Sequence, residues 1–128
     1  MTRSKGFQVR SALLIVVLLL GAGPAMAQSL CVEPAMPIPV DGAAATADQM
    51  RTAMAEARNF IAQSAVYQDC LLKTVDAAKT QAVAAGQSFE PKIETSARYK
   101  VDMSRKAQER VGNTANSAMA AFKNAHPN

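Results

Sequence analysis

Residues 46–86 read TADQMRTAMAEARNFIAQSAVYQDCLLKTVDAAKTQAVAAG, and this stretch decides the fold. Thr46-Ala47-Asp48-Gln49 fits the capping-box pattern, in which the first and last side chains each satisfy an otherwise unpaired amide of the other residue. From there Met50, Met54, Ala57, Ile61, Ser64, Gln68, Leu71, Val75, Ala78 and Ala82 alternate steps of four and three without interruption, flanked by Ala53, Phe60 and Tyr67. That is the seam of a heptad-like helix. Gly86 supplies its stop, so the spacing predicts helix 1 over about 47–85.

Beyond Gly86, Ser88, Glu90 and Pro91 form a helix-start signal, and helix 2 is expected over about 89–125. One face carries Ile93, Ala97, Val101, Ser104, Gln108, Val111, Ala115, Ala118 and Phe122. The opposite face interleaves Glu94, Arg98, Asp102, Arg105, Lys106, Glu109 and Arg110, and reads as a solvated surface. Glu94 to Arg98 and Asp102 to Lys106 are spaced to add i,i+4 ion pairs. Gly112-Asn113 is the weak point, where a break or kink would fall. If helix 2 folds back antiparallel on helix 1, facing residues should have numbers that add to 172. Met54 then meets Ala118, Ala57 meets Ala115, Ile61 meets Val111, Leu71 meets Val101 and Val75 meets Ala97, so that large mostly faces small. The same register gathers Ser64, Gln68, Ser104 and Gln108 into one polar layer near mid-hairpin. A layer of this kind is either a small binding site or, on the precedent of coiled coils, a device that fixes register.

Upstream, residues 28–45 form an arm. Pro34, Pro37 and Pro39 each remove a backbone donor and bias the chain toward extended or polyproline II geometry, and Asp41-Gly42 turns it into the helix. Cys31 and Cys70 are the only cysteines. From Asp48 to Cys70 a helix spans roughly 33 Å, while the chain from Cys31 to Thr46 reaches up to about 50 Å, so the arm can lie back along helix 1 and close a disulfide. The clasped arm is expected to cover Phe60 and Tyr67 with Val32, Met36 and Ile38.

Upstream again, Arg3, Lys5 and Arg10 precede the apolar run of residues 12–20, and Ala25-Met26-Ala27 has a small-x-small pattern. Residues 1–27 are expected to be a cleaved signal peptide, too short in its apolar part to span a bilayer core. An exported chain reaches an oxidising compartment, which favours the Cys31–Cys70 pair. Gln28-Ser29-Leu30 does not resemble a lipidation signal ahead of Cys31. Three of the 14 basic residues leave with the signal, so the net charge of +4 falls to +1. The concentrated positive face that nucleic-acid binding requires goes with it.

Residues 28–128 contain 22 Ala against 16 Leu, Ile, Val and Phe combined, and the protein has one His and no Trp. The composition favours closely approaching helices and a thin core. It offers little with which to wall off a catalytic pocket, and no Ser-His, paired-carboxylate or metal-ligand spacing is present, so no enzyme is expected. Met50 and Met54, with Met36 or Met119, have the softness of Cu(I) ligands, but methionines on an apolar seam read as core filler. His126 falls in a tail expected to fray. No cofactor or metal is therefore expected.

The segments Cys31-Val32-Glu33-Pro34-Ala35-Met36-Pro37-Ile38-Pro39-Val40-Asp41-Gly42, Asp48-Gln49-Met50 and Tyr67-Gln68-Asp69-Cys70-Leu71, with a fainter echo at residues 116–123, resemble a group of small uncharacterised proteobacterial exported proteins. That group shares a Cys-Pro-rich arm, a Pro-Asp-Gly-like turn and a Tyr-x-x-Cys-Leu segment. Here Val40 intervenes between Pro39 and Asp41. The resemblance covers roughly residues 31–72; it implies a periplasmic address, supports the Cys31–Cys70 pairing and brings no activity.

The reading as a whole is an all-α chain: an extended Pro-rich arm clasped by a disulfide to an antiparallel, coiled-coil-like two-helix hairpin over residues 46–126. Two Ala-rich helices enclose little core. A second copy, giving a homo-oligomer such as a four-helix arrangement, or another envelope protein would supply a further layer. A non-catalytic periplasmic interaction or scaffold module is the leading function. A metal- or redox-handling protein using Cys31, Cys70 and the methionines is the alternative.

Overall fold

The computed structural model describes residues 31–127. The expected signal peptide, 1–27, and residues 28–30 of the arm lie outside the described residues. Two helices, α1 (Ala47–Ala84) and α2 (Pro91–Ala125), pack antiparallel along their length. At 1.5 Å per residue each is over 50 Å long. No helix among the described residues is long and apolar enough to cross a membrane.

α1 begins with the reciprocal capping box: the Thr46 hydroxyl accepts from the Gln49 amide at 3.2 Å, and the Gln49 carbonyl oxygen Oε1 accepts from the Thr46 amide at 2.8 Å. It ends in a Schellman closure. The Gln87 amide donates to the Ala82 carbonyl (2.8 Å) and the Gly86 amide to the Val83 carbonyl (3.1 Å), with Gly86 at φ 63°, in the left-handed region that glycine adopts without a Cβ penalty. Four residues later Glu90 caps α2 by accepting from the Lys92 amide at 3.3 Å, and Pro91 occupies the first helical position, where its missing donor costs nothing. α2 thus starts two residues later than the sequence reading placed it. Phe89 in the connection packs back against the cluster of Tyr67, Leu71, Val75, Ala97 and Val101, and Lys79 lies over its ring at 5.4 Å.

The predicted register holds. Gln68 bonds Ser104, a pair whose numbers add to 172, and Leu71 with Val101, Val75 with Ala97 and Ala57 with Ala115 share core clusters. The Lys79–Glu94 bridge at 2.7 Å is one residue off the same diagonal. α2 passes through Gly112 without a break. No side chain is needed there to maintain the helix, because the backbone on both sides is held by packing at Val111 and Ala115.

The arm runs from Cys31, joined to Cys70 with Cα atoms 5.7 Å apart, back toward the start of α1. It contains no helix or strand from residue 31 to 40, and within it Cys31, Pro34, Pro37 and Val40 are partly buried while the residues between them are exposed. A three-residue period is that of the polyproline II helix the prolines favour. One consequence corrects the sequence reading. Val32 and Ile38 do not cover Phe60 and Tyr67 but point outward, 80 % and 86 % exposed, and Met36 is 55 % exposed. The inward positions recur every third residue and include Pro34 and Pro37, while Pro39 is exposed.

The arm also moves the buried stripe of α1. Phe60 and Tyr67, expected on the flank, are each 5 % exposed, whereas Ile61, expected on the seam, is 37 % exposed. A third layer on one side of the hairpin buries the residues that face it and leaves the opposite side to solvent. The turn after the arm is an Asx-type turn: the Asp41 carboxylate accepts from the Ala43 amide at 3.1 Å, and the Asp41 carbonyl accepts from the Ala44 amide at 3.2 Å. Gly42 is pressed so tightly on α2 that a Cβ there would overlap the Ala118 backbone carbonyl. At the C-terminal end His126 is not frayed: its ring stacks on Phe122 with centroids 4.4 Å apart, and its Nδ1 lies 3.0 Å from the Phe122 carbonyl oxygen.

Candidate functional site

Three features lie on the side of the arm, from the middle of the hairpin toward its base: the disulfide, the polar layer and a cleft. The disulfide joins Cys31 to Cys70, so both sulfurs are committed and no thiolate is left as a metal ligand in this oxidised form. The Cys31 sulfur lies 3.6 Å from the Thr74 hydroxyl, which in turn donates to the Cys70 carbonyl at 2.9 Å. Among the described residues no group of three or more His, Cys, Asp or Glu side chains is placed to hold a metal ion.

The four residues of the predicted polar layer do come together, but their bonds are unevenly shared. Gln68 Nε2 donates to Ser104 Oγ (3.0 Å) and to Gln108 Oε1 (2.9 Å), and Gln108 Nε2 donates to the Ile61 carbonyl (2.8 Å). Two amides thus tie α1 to α2 across the layer and fix the register, as half-buried polar groups do when every alternative pairing would leave them unsatisfied. Ser64 stands apart. It is fully buried, and its hydroxyl has no hydrogen-bond partner among the described residues.

Ser64 lines a crevice of about 150 Å³ between arm and helices, together with Ser104, Phe60, Met103, Glu33 and Arg110. At Met36 and Arg110 this crevice adjoins a second, apolar cavity of about 180 Å³, floored by Met50, Ala53, Ala57, Ala115 and Ala118 and roofed by arm residues 36–40. The cause is local. Alanines on both helices bring the helix backbones close but leave room above them, and the arm's bulkiest side chain, Ile38, is turned to solvent instead of into that room.

The sequence reading missed this cleft together with Glu33 and Arg110. The available signal was the coincidence of small residues at 53, 57, 115 and 118 facing a proline-rich arm, whose rigid three-fold geometry cannot pack into grooves as a helix can. It also missed that Glu94 bridges the helices, although the register placed Lys79 beside it. Hydrogen bonds from Lys79 and then Arg98 hold the Glu94 carboxyl below its ordinary value of 4.5. Burial, and then the nearby Glu33 carboxylate, push the Tyr67 phenol above its ordinary 10.0.

The chain's single histidine is held on Phe122, some four turns of α2 beyond Val111, and the carboxylate that lines the crevice with Ser64 and Ser104 is that of Glu33. No known protein family, curated protein or solved structure matches the chain.

Proposed function

We propose that the protein is a non-catalytic interaction module of the bacterial periplasm, in which a disulfide-clasped hairpin displays the arm to a partner. The observation that carries this reading is the orientation of the arm: Val32, Met36 and Ile38 face solvent at 80 %, 55 % and 86 % exposure while the disulfide and the inward prolines hold the backbone in place. Apolar groups fixed in one geometry before binding lose little entropy on association. The resemblance of residues 31–72 to small exported proteins, the 1–27 export pattern and the disulfide support the periplasmic address. The partner on this reading is a second copy of the chain or another envelope protein.

Native mass spectrometry of the protein purified from periplasm, followed by denatured intact mass, tests the reading in one sample. The expected result is an oxidised chain starting at Gln28 and present as a complex, and conversion of Val32 and Ile38 to Asp should dissociate that complex without loss of helical circular dichroism. A reduced monomer, or a complex indifferent to both Asp substitutions, rejects it.

A further inference from the structure

We propose that the cleft beneath the arm binds a small zwitterion with an apolar side chain, the chemistry of a free apolar α-amino acid. Four observations converge on one ligand shape. The apolar lobe, about 180 Å³, is close to the size of engineered cavities of about 150 Å³ that bind benzene, so it has room for a phenyl or isobutyl group. The polar lobe beside it holds Ser64, whose fully buried hydroxyl has no partner among the described residues, and Ser104, whose oxygen accepts from Gln68 and whose proton is left to donate.

Glu33 and Arg110 line this polar lobe with opposite charges, yet neither is in an ion pair within 4.0 Å with the other or with any described residue. A gap between unpaired opposite charges suits a head group that carries both. The ligand carboxylate meets the Arg110 fork, which matches carboxylate geometry, and the ammonium meets Glu33, with the serine hydroxyls bridging. A simple anion would face Glu33, a simple cation would face Arg110, and an uncharged apolar molecule would leave the Ser64 hydroxyl orphaned. Finally, the chain leaves the apolar lobe open although Ile38 lies on its rim, turned outward.

The test is an NMR titration of the oxidised, ¹⁵N-labelled protein with L-phenylalanine and L-leucine, alongside 3-phenylpropionate, which lacks the ammonium, and phenethylamine, which lacks the carboxylate. Saturable shifts at Ser64, Ser104 and Arg110 are expected with both amino acids. Each analogue should bind about ten-fold or more weakly, the loss expected when one charge-assisted contact is removed. Arg110→Gln and Glu33→Gln, both at exposed side chains, should weaken L-phenylalanine to the same degree, and Ala115→Leu, which fills the apolar lobe, should abolish binding. Helical circular dichroism and an oxidised intact mass establish that each variant is folded. The proposal is overturned by the absence of saturable shifts up to the solubility limit, by an analogue that binds as tightly as the amino acid, or by binding that survives Ala115→Leu.

Discussion

The two ends of the hairpin solve the same packing problem in different ways. Toward the tip, between Leu71 and Val101, the two helices make most of the core with large side chains: Tyr67, Leu71, Val75 and Val101 close over Ala97, with Phe89 folded in from the connection and Cys31 packed on from the arm. Toward the base the facing pairs are small, Ala57 with Ala115 and Ala53 near Ala118, and the arm lies across them as a third layer over Phe60. Bulk in the side chains and bulk in an added backbone segment are alternatives. The base uses the second, and because a polyproline-like arm cannot fill every space between alanines, the base is where the cleft lies.

The largest effect should come from severing that third layer. Closing a loop with a 39-residue separation stabilises by about 4 kcal/mol in the chain-entropy model, so the Cys31→Ser/Cys70→Ser protein should lose about that much in chemical denaturation. Hydrogen exchange should then rise first at the base, around residues 50–60 and 107–118, while amides near Leu71 and Val101 stay protected. Equal exchange at both ends would break the comparison.

Next in size are single core residues, one from each end. Leu71→Ala and Phe60→Ala should each cost about 3 kcal/mol, as for large-to-small changes in cores. If the arm is what makes Phe60 a core residue, its cost should shrink in the disulfide-free protein while that of Leu71 persists, a coupling a double-mutant cycle reads directly. Gly42→Ala should cost about 2 kcal/mol by driving a methyl into the Ala118 carbonyl; its effect too should vanish once the arm is released.

The polar layer between the ends gives a smaller and asymmetric pair. Gln68→Ala removes two hydrogen bonds between the helices and should destabilise by about 1–2 kcal/mol. Ser64→Ala removes a hydroxyl that has no partner among the described residues and should be neutral or stabilising by up to about 1 kcal/mol in thermal melts.

The smallest effects are pH limbs, and they again differ by region. The Tyr67 phenol is raised in the folded protein, so its contribution is full below pH 10.0 and is lost as pH rises through the folded value. Tyr67→Phe should remove that alkaline limb of the melting curve. Glu94, between Lys79 and Arg98, is lowered, so its contribution is present above pH 4.5 and is lost as pH falls below it. Glu94→Gln should flatten the acid limb without changing the alkaline one.

Much of this was readable in the residues before any coordinates. The capping box at Thr46, the stop at Gly86, the register that pairs Gln68 with Ser104, and the closure of Cys31 on Cys70 all follow from local chemistry or from a repeat that two helices must share. Misreadings fall where a third element intrudes. Ile61 and Phe60 are adjacent on one helix and equally suited to a seam; which of them is buried depends on the side from which the arm approaches, and heptad spacing carries no information about that. Gly112 has a propensity against helix, yet the packing of Val111 and Ala115 overrides it, since the cost of a helical glycine is only about 1 kcal/mol.

The sequence by itself determined the elements: two long helices, their antiparallel register, the proline-rich arm and the covalent link that returns it, because capping, heptad periodicity, fixed φ and chain reach are properties of short stretches. Only the tertiary structure decided the faces: that Pro34 and Pro37 turn inward and Val32 and Ile38 outward, that Ser64 is buried with no hydrogen-bond partner among the described residues, and that Glu33 and Arg110 line a crevice beside an apolar cavity without an ion pair to any described residue. The physical reason is that burial is a property of three surfaces meeting. The period of the arm is three, that of the helices is close to three and a half, and where segments of unlike period cross, the side chains that interlock and the gaps that remain are fixed only by their relative placement in space.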